Sequence, residues 1–163
     1  MTMIQTNRLF TKPFFKTLLW KQNKYHRHGV FLHTMQVVYY TLINGDLKML
    51  PAAFLHDVGK PLVAYQKEED IVLNEYSFTD HEEKSYQVIK NWSFVSDYTK
   101  QLVRYHYLIR DIDKHKFKDL KRHNKKKAIW EVLSLEMQVD LMTFLKYDDL
   151  GKGIKHKKIE GVK

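Results

Sequence analysis

The segment Phe54-Leu55-His56-Asp57-Val58-Gly59-Lys60-Pro61 closes an apolar run with an imidazole and a carboxylate side by side. Apolar spacing before it predicts a helix, and Gly59 and Pro61 predict its stop. An adjacent histidine and aspartate at the exit of a buried helix are costly to bury unless something compensates them. A divalent cation is the obvious compensator, so the fold must carry further ligands to this point. The chain has no cysteine, which excludes disulfides, zinc-thiolate sites and thiol nucleophiles. The remaining ligands must therefore be His, Asp or Glu.

Glycine and proline are sparse, and the apolar spacing is mostly helical. Helices are expected at about 13–22, 29–44, 46 or 51 to 57, 80–92, 96–110 and 135–147. Asp80 with Glu83 resembles a capping box, and Ser134 is the expected cap of the last helix. Residues 62–79 behave differently: Leu62-Val63-Ala64-Tyr65 and Ile71-Val72-Leu73 flank the charged Lys67-Glu68-Glu69-Asp70. A short hairpin or an irregular loop is expected there, serving as a lid or selectivity loop. The fold class read from this pattern is all-α, a compact helical bundle. The 163 residues suggest one domain over 1–150, followed by a basic, frayed tail over 151–163. Trp20, Phe31, Tyr39, Phe54, Trp92, Trp130 and Phe144 read as core.

Four of the nine histidines fall in or at the ends of helical segments: His33, His56, His81 and His106. Asp140 lies in the apolar Val139-Asp140-Leu141, where an unpaired aspartate is hard to bury. Five such positions on five helices argue for one common centre, as in metal sites built from facing helices.

These motifs resemble the HD-domain metal-dependent phosphohydrolases. The resemblance rests on His33-Thr34, on His56-Asp57-Val58-Gly59-Lys60 and on Asp140, and spans roughly residues 28–145. Phe78-Thr79-Asp80-His81-Glu82 and Val103-Arg104-Tyr105-His106 are similar to the versions with two further histidines. The HD domain appended to bacterial tRNA nucleotidyltransferases is the nearest in motif order. No nucleotidyltransferase sequence accompanies it here, so CCA addition is not implied. Gly59-Lys60-Pro61 departs from the Glu-Asp pair usual in guanosine tetraphosphate hydrolases. The chain also lacks the Gly-Tyr-Pro motif of the cyclic-di-GMP subclass.

The resemblance implies a primary metal site of His33, His56, Asp57 and Asp140. Such a mixed nitrogen and oxygen set suits Mn, Fe, Co, Ni or Zn better than Mg. His81 and His106 would hold a second ion with Asp57 bridging, or bind phosphate, or protonate the leaving alkoxide. Lys60, three residues after Asp57, is a natural phosphate clamp that also suits a helix C-terminus. Arg110, one turn after His106, is the second phosphate candidate, with a solvated face as the alternative.

The implied reaction is hydrolysis of a nucleotide or RNA-end phosphoester, of the 2′,3′-cyclic phosphodiesterase or nucleotidase kind. A deoxynucleoside triphosphate or other nucleotide is the alternative substrate. A different class of reading is a basic nucleic-acid-binding module with a structural metal. The net charge of +9 and the run Lys114–Lys127 motivate it. Met1 to Lys24 shows no signal-peptide pattern and no run is long enough to span a membrane, so a cytoplasmic protein is expected.

Overall fold

The computed structural model describes residues 2–3, 9–22 and 26–153. Helices dominate: α1 (Lys12–Leu18), α2 (Val30–Ile43), α3 (Leu50–Leu55), α4 (Lys60–Val63), α5 (Glu68–Leu73), α6 (His81–Ile89), α7 (Asp97–Tyr105), α8 (Leu108–His115), α9 (Leu120–Val132) and α10 (Leu135–Gly151). The only sheet among the described residues pairs two-residue strands antiparallel, β1 (Thr2–Met3) with β2 (Tyr65–Gln66). The all-α expectation holds. No helix among the described residues is long and apolar enough to cross a membrane.

Short polar side chains start several of these helices. Ser96 Oγ accepts from Thr99 N, Asp119 Oδ1 from Arg122 N and Ser134 Oγ from Met137 N. Each satisfies one backbone donor that the first helical turn leaves free. α2 lies against α10 and α3, α6 against α7, and α8 against α9. Between them Val37, Ala52, Ile89, Leu102, Val103, Leu141 and Phe144 are fully buried. Each larger side chain in that set contributes about 1.5–3 kcal/mol by leaving water.

Several boundaries differ from the sequence reading, each for a local reason. α3 stops at Leu55, and Lys60-Pro61 opens α4, where proline fits because its missing N–H is not needed in a first turn. The 62–79 segment is not a simple hairpin. Tyr65 pairs with Ser77 across it, but the acidic Glu68-Glu69-Asp70 begins helix α5. Asp70 Oδ2 accepts from Lys67 N at 3.0 Å and favours that start. Asp80 and Glu83 form no capping box: Asp80 is left-handed, with φ of 54°, and bonds Arg122. Glu83 pairs with Arg104 instead. The expected helix over 96–110 breaks at His106-Tyr107 into α7 and α8. Phe31, Tyr39 and Phe54 are about half exposed, at 49–56%, whereas Phe144 is core. α10 runs past Tyr147 to Gly151, and Lys152 is buried. The tail from 154 onward lies outside the described residues.

Candidate metal centre

Three histidines at helix ends share one local device. His56 and His106 occupy the position just after α3 and α7, and His81 begins α6. Each places Nδ1 against the carbonyl three residues back: Ala53 at 2.9 Å, Val103 at 2.7 Å and Phe78 at 2.9 Å. A carbonyl only accepts, so Nδ1 carries the proton in all three rings. Nε2 is then the free lone pair, and the ring is oriented by its own helix terminus.

Those lone pairs converge. His56 Nε2 is 3.3 Å from His33 Nε2, and His106 Nε2 is 3.3 Å from His81 Nε2. Asp57 stands between the pairs. Its Oδ2 is 3.3 Å from His56 Nε2 and 3.5 Å from His33 Nε2, while its Oδ1 is 3.4 Å from His81 Nε2. Two groups can therefore hold a metal ion, His33–His56–Asp57 and Asp57–His81–His106. Ligands about 2.0–2.2 Å from a common ion sit near these separations from one another.

The residues fit such an ion on independent grounds. Asp57 Oδ1 and His33 Nδ1 are buried without a hydrogen-bond partner, while Asp57 Oδ2 faces the Lys60 ammonium at 2.7 Å. Groups of this kind are rarely left so unless an ion or water is expected. Two unprotonated Nε2 atoms facing each other at 3.3 Å repel unless a cation lies between them. Burial, and then the charge of Lys60, holds His81 at about 3. Burial, and then His56, holds His106 at about 4. Between His81 and His106, protons do not supply the missing cation near neutrality.

Asp140 does not join this cluster. Its Oδ2 accepts from Tyr98 Oη at 2.9 Å and lies 2.8 Å from Lys48 Nζ, at the far end of α10. Asp148, about two turns further along, takes the expected place. Its Oδ1 is 3.0 Å from His33 Nε2 and 3.9 Å from His56 Nε2. Both aspartates lie on the buried stripe of α10, so spacing alone did not separate them. Asp148 stood just beyond the helix end expected at Tyr147. Burial opposes charging Asp148, yet His33 and Lys152 hold it well below the usual carboxylate range. Asp57 is held low in the same way, against burial, by His56 and Lys60.

The two expected phosphate contacts are also redirected. Lys60 is buried, with Nζ 2.7 Å from Asp57 Oδ2 and 2.6 Å from Gln22 Oε1. It braces the carboxylate and still lines the adjoining cavity. Arg110 is paired with Asp149 and is absent from the cavity wall. The sequence reading missed His26, whose ring centroid is 5.1 Å from that of His33. Burial pushes His26 down to about 2, and it lines the cavity too. Its neighbours 23–25 lie outside the described residues, and no periodic signal pointed to it.

Close packing sets the cluster's position. A Cβ on Gly59 would stand 2.4 Å from Ser85 N and 2.9 Å from His81 O, so only glycine lets the His56-Asp57 turn rest on α6. Gly59 N donates to Ser85 Oγ at 2.9 Å across that contact. At the other side, a Cβ on Gly151 would stand 2.7 Å from Val37 Cγ2 and 3.2 Å from His33 Nδ1. These two close approaches bring α6 and α10 onto the ligand-bearing turns.

A cavity of about 530 Å3 opens beside the cluster, with His81, Asp148 and Lys60 in its wall. Glu82 lines it as well and is pushed up to about 7, chiefly by burial.

No curated protein sequence matches this chain. A family model described as HD domain matches residues 30–141, which include His33, His56, Asp57, His81 and His106. The chain belongs to the HD-domain family.

Proposed function

We propose that this protein hydrolyses a nucleotide or RNA-type phosphoester, with a 2′,3′-cyclic phosphodiester as the leading substrate. Family membership carries the coarser statement, since HD domains are metal-dependent phosphohydrolases. The observation that supports an intact active site is Asp57, whose two oxygens face two separate imidazole pairs. The motif order, His33-Thr34, then His56-Asp57-Val58-Gly59-Lys60, then His81-Glu82, favours the cyclic phosphodiester by likeness to the domain in tRNA nucleotidyltransferases.

His33, His56, Asp57 and Asp148 would hold one divalent ion, and Asp57, His81 and His106 a second. Bound there, such ions supply Lewis acidity and a water of lowered pKa. The protein's own groups do the positioning. Lys60 holds Asp57, and Lys152 holds Asp148 at 3.0 Å, so both carboxylates stay aimed inward. The backbone carbonyls of Ala53, Val103 and Phe78 each accept a hydrogen bond from Nδ1, so in the neutral rings the three Nε2 lone pairs point inward. His81, with 12% of its side chain exposed, is the histidine of the ligand cluster that meets the cavity.

Purified protein supplied with Mn, Ni, Co, Fe, Zn or Mg in turn should hydrolyse bis-p-nitrophenyl phosphate and 2′,3′-cyclic nucleotides. Asp57→Ala should abolish that turnover. Wild-type protein inert on a broad phosphoester panel with every metal would sink the proposal.

A further inference from the structure

Six cations line the cavity: Lys60, Lys67, Lys114, Lys118, Arg122 and Lys152. Three are answered inside the protein. Lys60 faces Asp57 at 2.7 Å, Lys152 faces Asp148 at 3.0 Å and Arg122 faces Asp80 at 3.1 Å. Lys67, Lys114 and Lys118 are exposed and have no acidic partner among the described residues. Three of the four lining acids are already paired with a cation: Asp80 with Arg122, Asp148 with Lys152, and Asp111 with Lys126 at 2.9 Å. The fourth, Glu82, sits beside His81 on the cluster side, with Oε2 3.5 Å from its Nδ1. The outer wall therefore keeps positive charge that no group among the described residues balances.

That charge is held in place. Lys114 lies in the last turn of α8, and Lys118 lies in the turn that leads into α9. Asp119 caps α9, and His123 Nδ1 donates to Ile112 O at 2.9 Å, which fixes the corner between the two helices. Arg122 bonds Asp80, the residue before His81, and so ties the corner to the ligand-bearing end of α6. Surface lysines scattered by composition would not share one wall, locked to the metal-ligand face.

We infer that the substrate carries a second anionic group besides the scissile phosphoester, and that Lys114 and Lys118 receive it. The inference rests on the histidine cluster as the seat of that phosphoester. The preferred class is a nucleotide with a further phosphate, and not a nucleoside with the scissile group alone. A 5′-phosphate and an internucleotide phosphate present the same chemistry to these lysines. The run Lys114–Lys127 then serves the cavity through its first members, and is not a separate nucleic-acid surface.

The test has a turnover arm and a binding arm. KM is measured for a 2′,3′-cyclic mononucleotide, for its 5′-phosphorylated form and for a trinucleotide with the same cyclic end. The second phosphate lowers KM, and comparing the two phosphorylated substrates identifies its source. Lys114→Ala and Lys118→Ala each raise the KM of the phosphorylated substrates about fivefold and leave kcat unchanged, as expected for an exposed ion pair. Equal KM for all three substrates in wild type overturns the inference.

In the binding arm, orthophosphate and tripolyphosphate are titrated into metal-free protein, where no hydrolysis is needed. Wild type prefers tripolyphosphate, the Lys114→Ala/Lys118→Ala variant loses that preference, and the charge-matched Lys121→Ala/Lys125→Ala variant keeps it. Identical tripolyphosphate binding by wild type and the first variant, or equal loss in the control, overturns the inference. Absence of turnover alone counts against the hydrolase reading and leaves the binding arm to decide this one.

Discussion

His33 Nε2 and Asp148 Oδ1 stand 3.0 Å apart where α2 crosses the end of α10, and Asp140 on the same helix points to Tyr98 instead. The two aspartates should therefore fail differently. Asp148→Ala should lower metal affinity and phosphoester turnover at least about 100-fold, given what even supporting residues contribute at metal sites. Asp140→Ala should keep activity and lose about 1–3 kcal/mol of stability, because Tyr98 loses its buried acceptor. Metal titration and urea unfolding of both variants check this; an inactive, metal-free Asp140→Ala would reverse the assignment.

Ion stoichiometry should divide along the two imidazole pairs. His81→Ala and His106→Ala should each bind one equivalent fewer than wild type, since the His33–His56 side keeps its ligands. Asp57→Ala should lose both, because its two oxygens face the two groups. Metal analysis after gel filtration reads the difference, and unchanged stoichiometry in His81→Ala would leave that histidine without a ligand role.

Acid should destabilise the metal-free protein before the ordinary carboxylate range is reached. His81 and His106 are lowered from 6.5 to about 3 and about 4. The unfolded chain then binds more protons below pH 6.5, so stability falls as pH drops from there toward 3. Asp57 and Asp148 are held below 3.8, so their contribution is present above that value and is lost as pH falls further. His56 runs the other way. Burial opposes its charging, but Asp57 raises it above 6.5, and its contribution disappears as pH rises through the folded value. Urea midpoints across this range in the presence of a chelator should fall with falling pH; a flat profile from neutrality down to pH 4 contradicts the neutral burial of His81 and His106.

Gly59→Ala should disturb the site through the backbone. The new methyl meets Ser85 N and Lys84 C, and neither can rotate away. A cost of about 1–3 kcal/mol is expected for such overpacking, with weaker metal binding as α6 and His81 shift. Ser85→Ala, which removes only the 2.9 Å bond from Gly59 N, should cost about 1 kcal/mol and spare metal affinity. Thermal unfolding and metal titration of the pair distinguish displacement from a lost hydrogen bond.

The helical class and the convergence of His33, His56, Asp57, His81 and His106 were legible in the sequence. Helix periodicity and helix stops are local signals, and His56, His81 and His106 mark helix ends. The remaining carboxylate was not legible. Asp140 and Asp148 share a face of α10, and only the crossing of α2 decides which meets His33. Lys60 was placed correctly next to Asp57, but its use as a brace depends on Gln22, which is remote in sequence. Arg110 failed for the same kind of reason, since its partner Asp149 lies on another helix.

The pairing of Lys60 with Asp57 and of Lys152 with Asp148 has a consequence for the order of events. Two carboxylates facing two ammonium groups leave these four groups without net charge. An acid-only cluster would spend part of an arriving dication's charge on itself. Here nearly the whole charge of each ion stays available to a ligand. Loading metal would thus add a strongly anion-seeking centre beside the basic outer wall, and capture of the scissile phosphoester would follow metal capture.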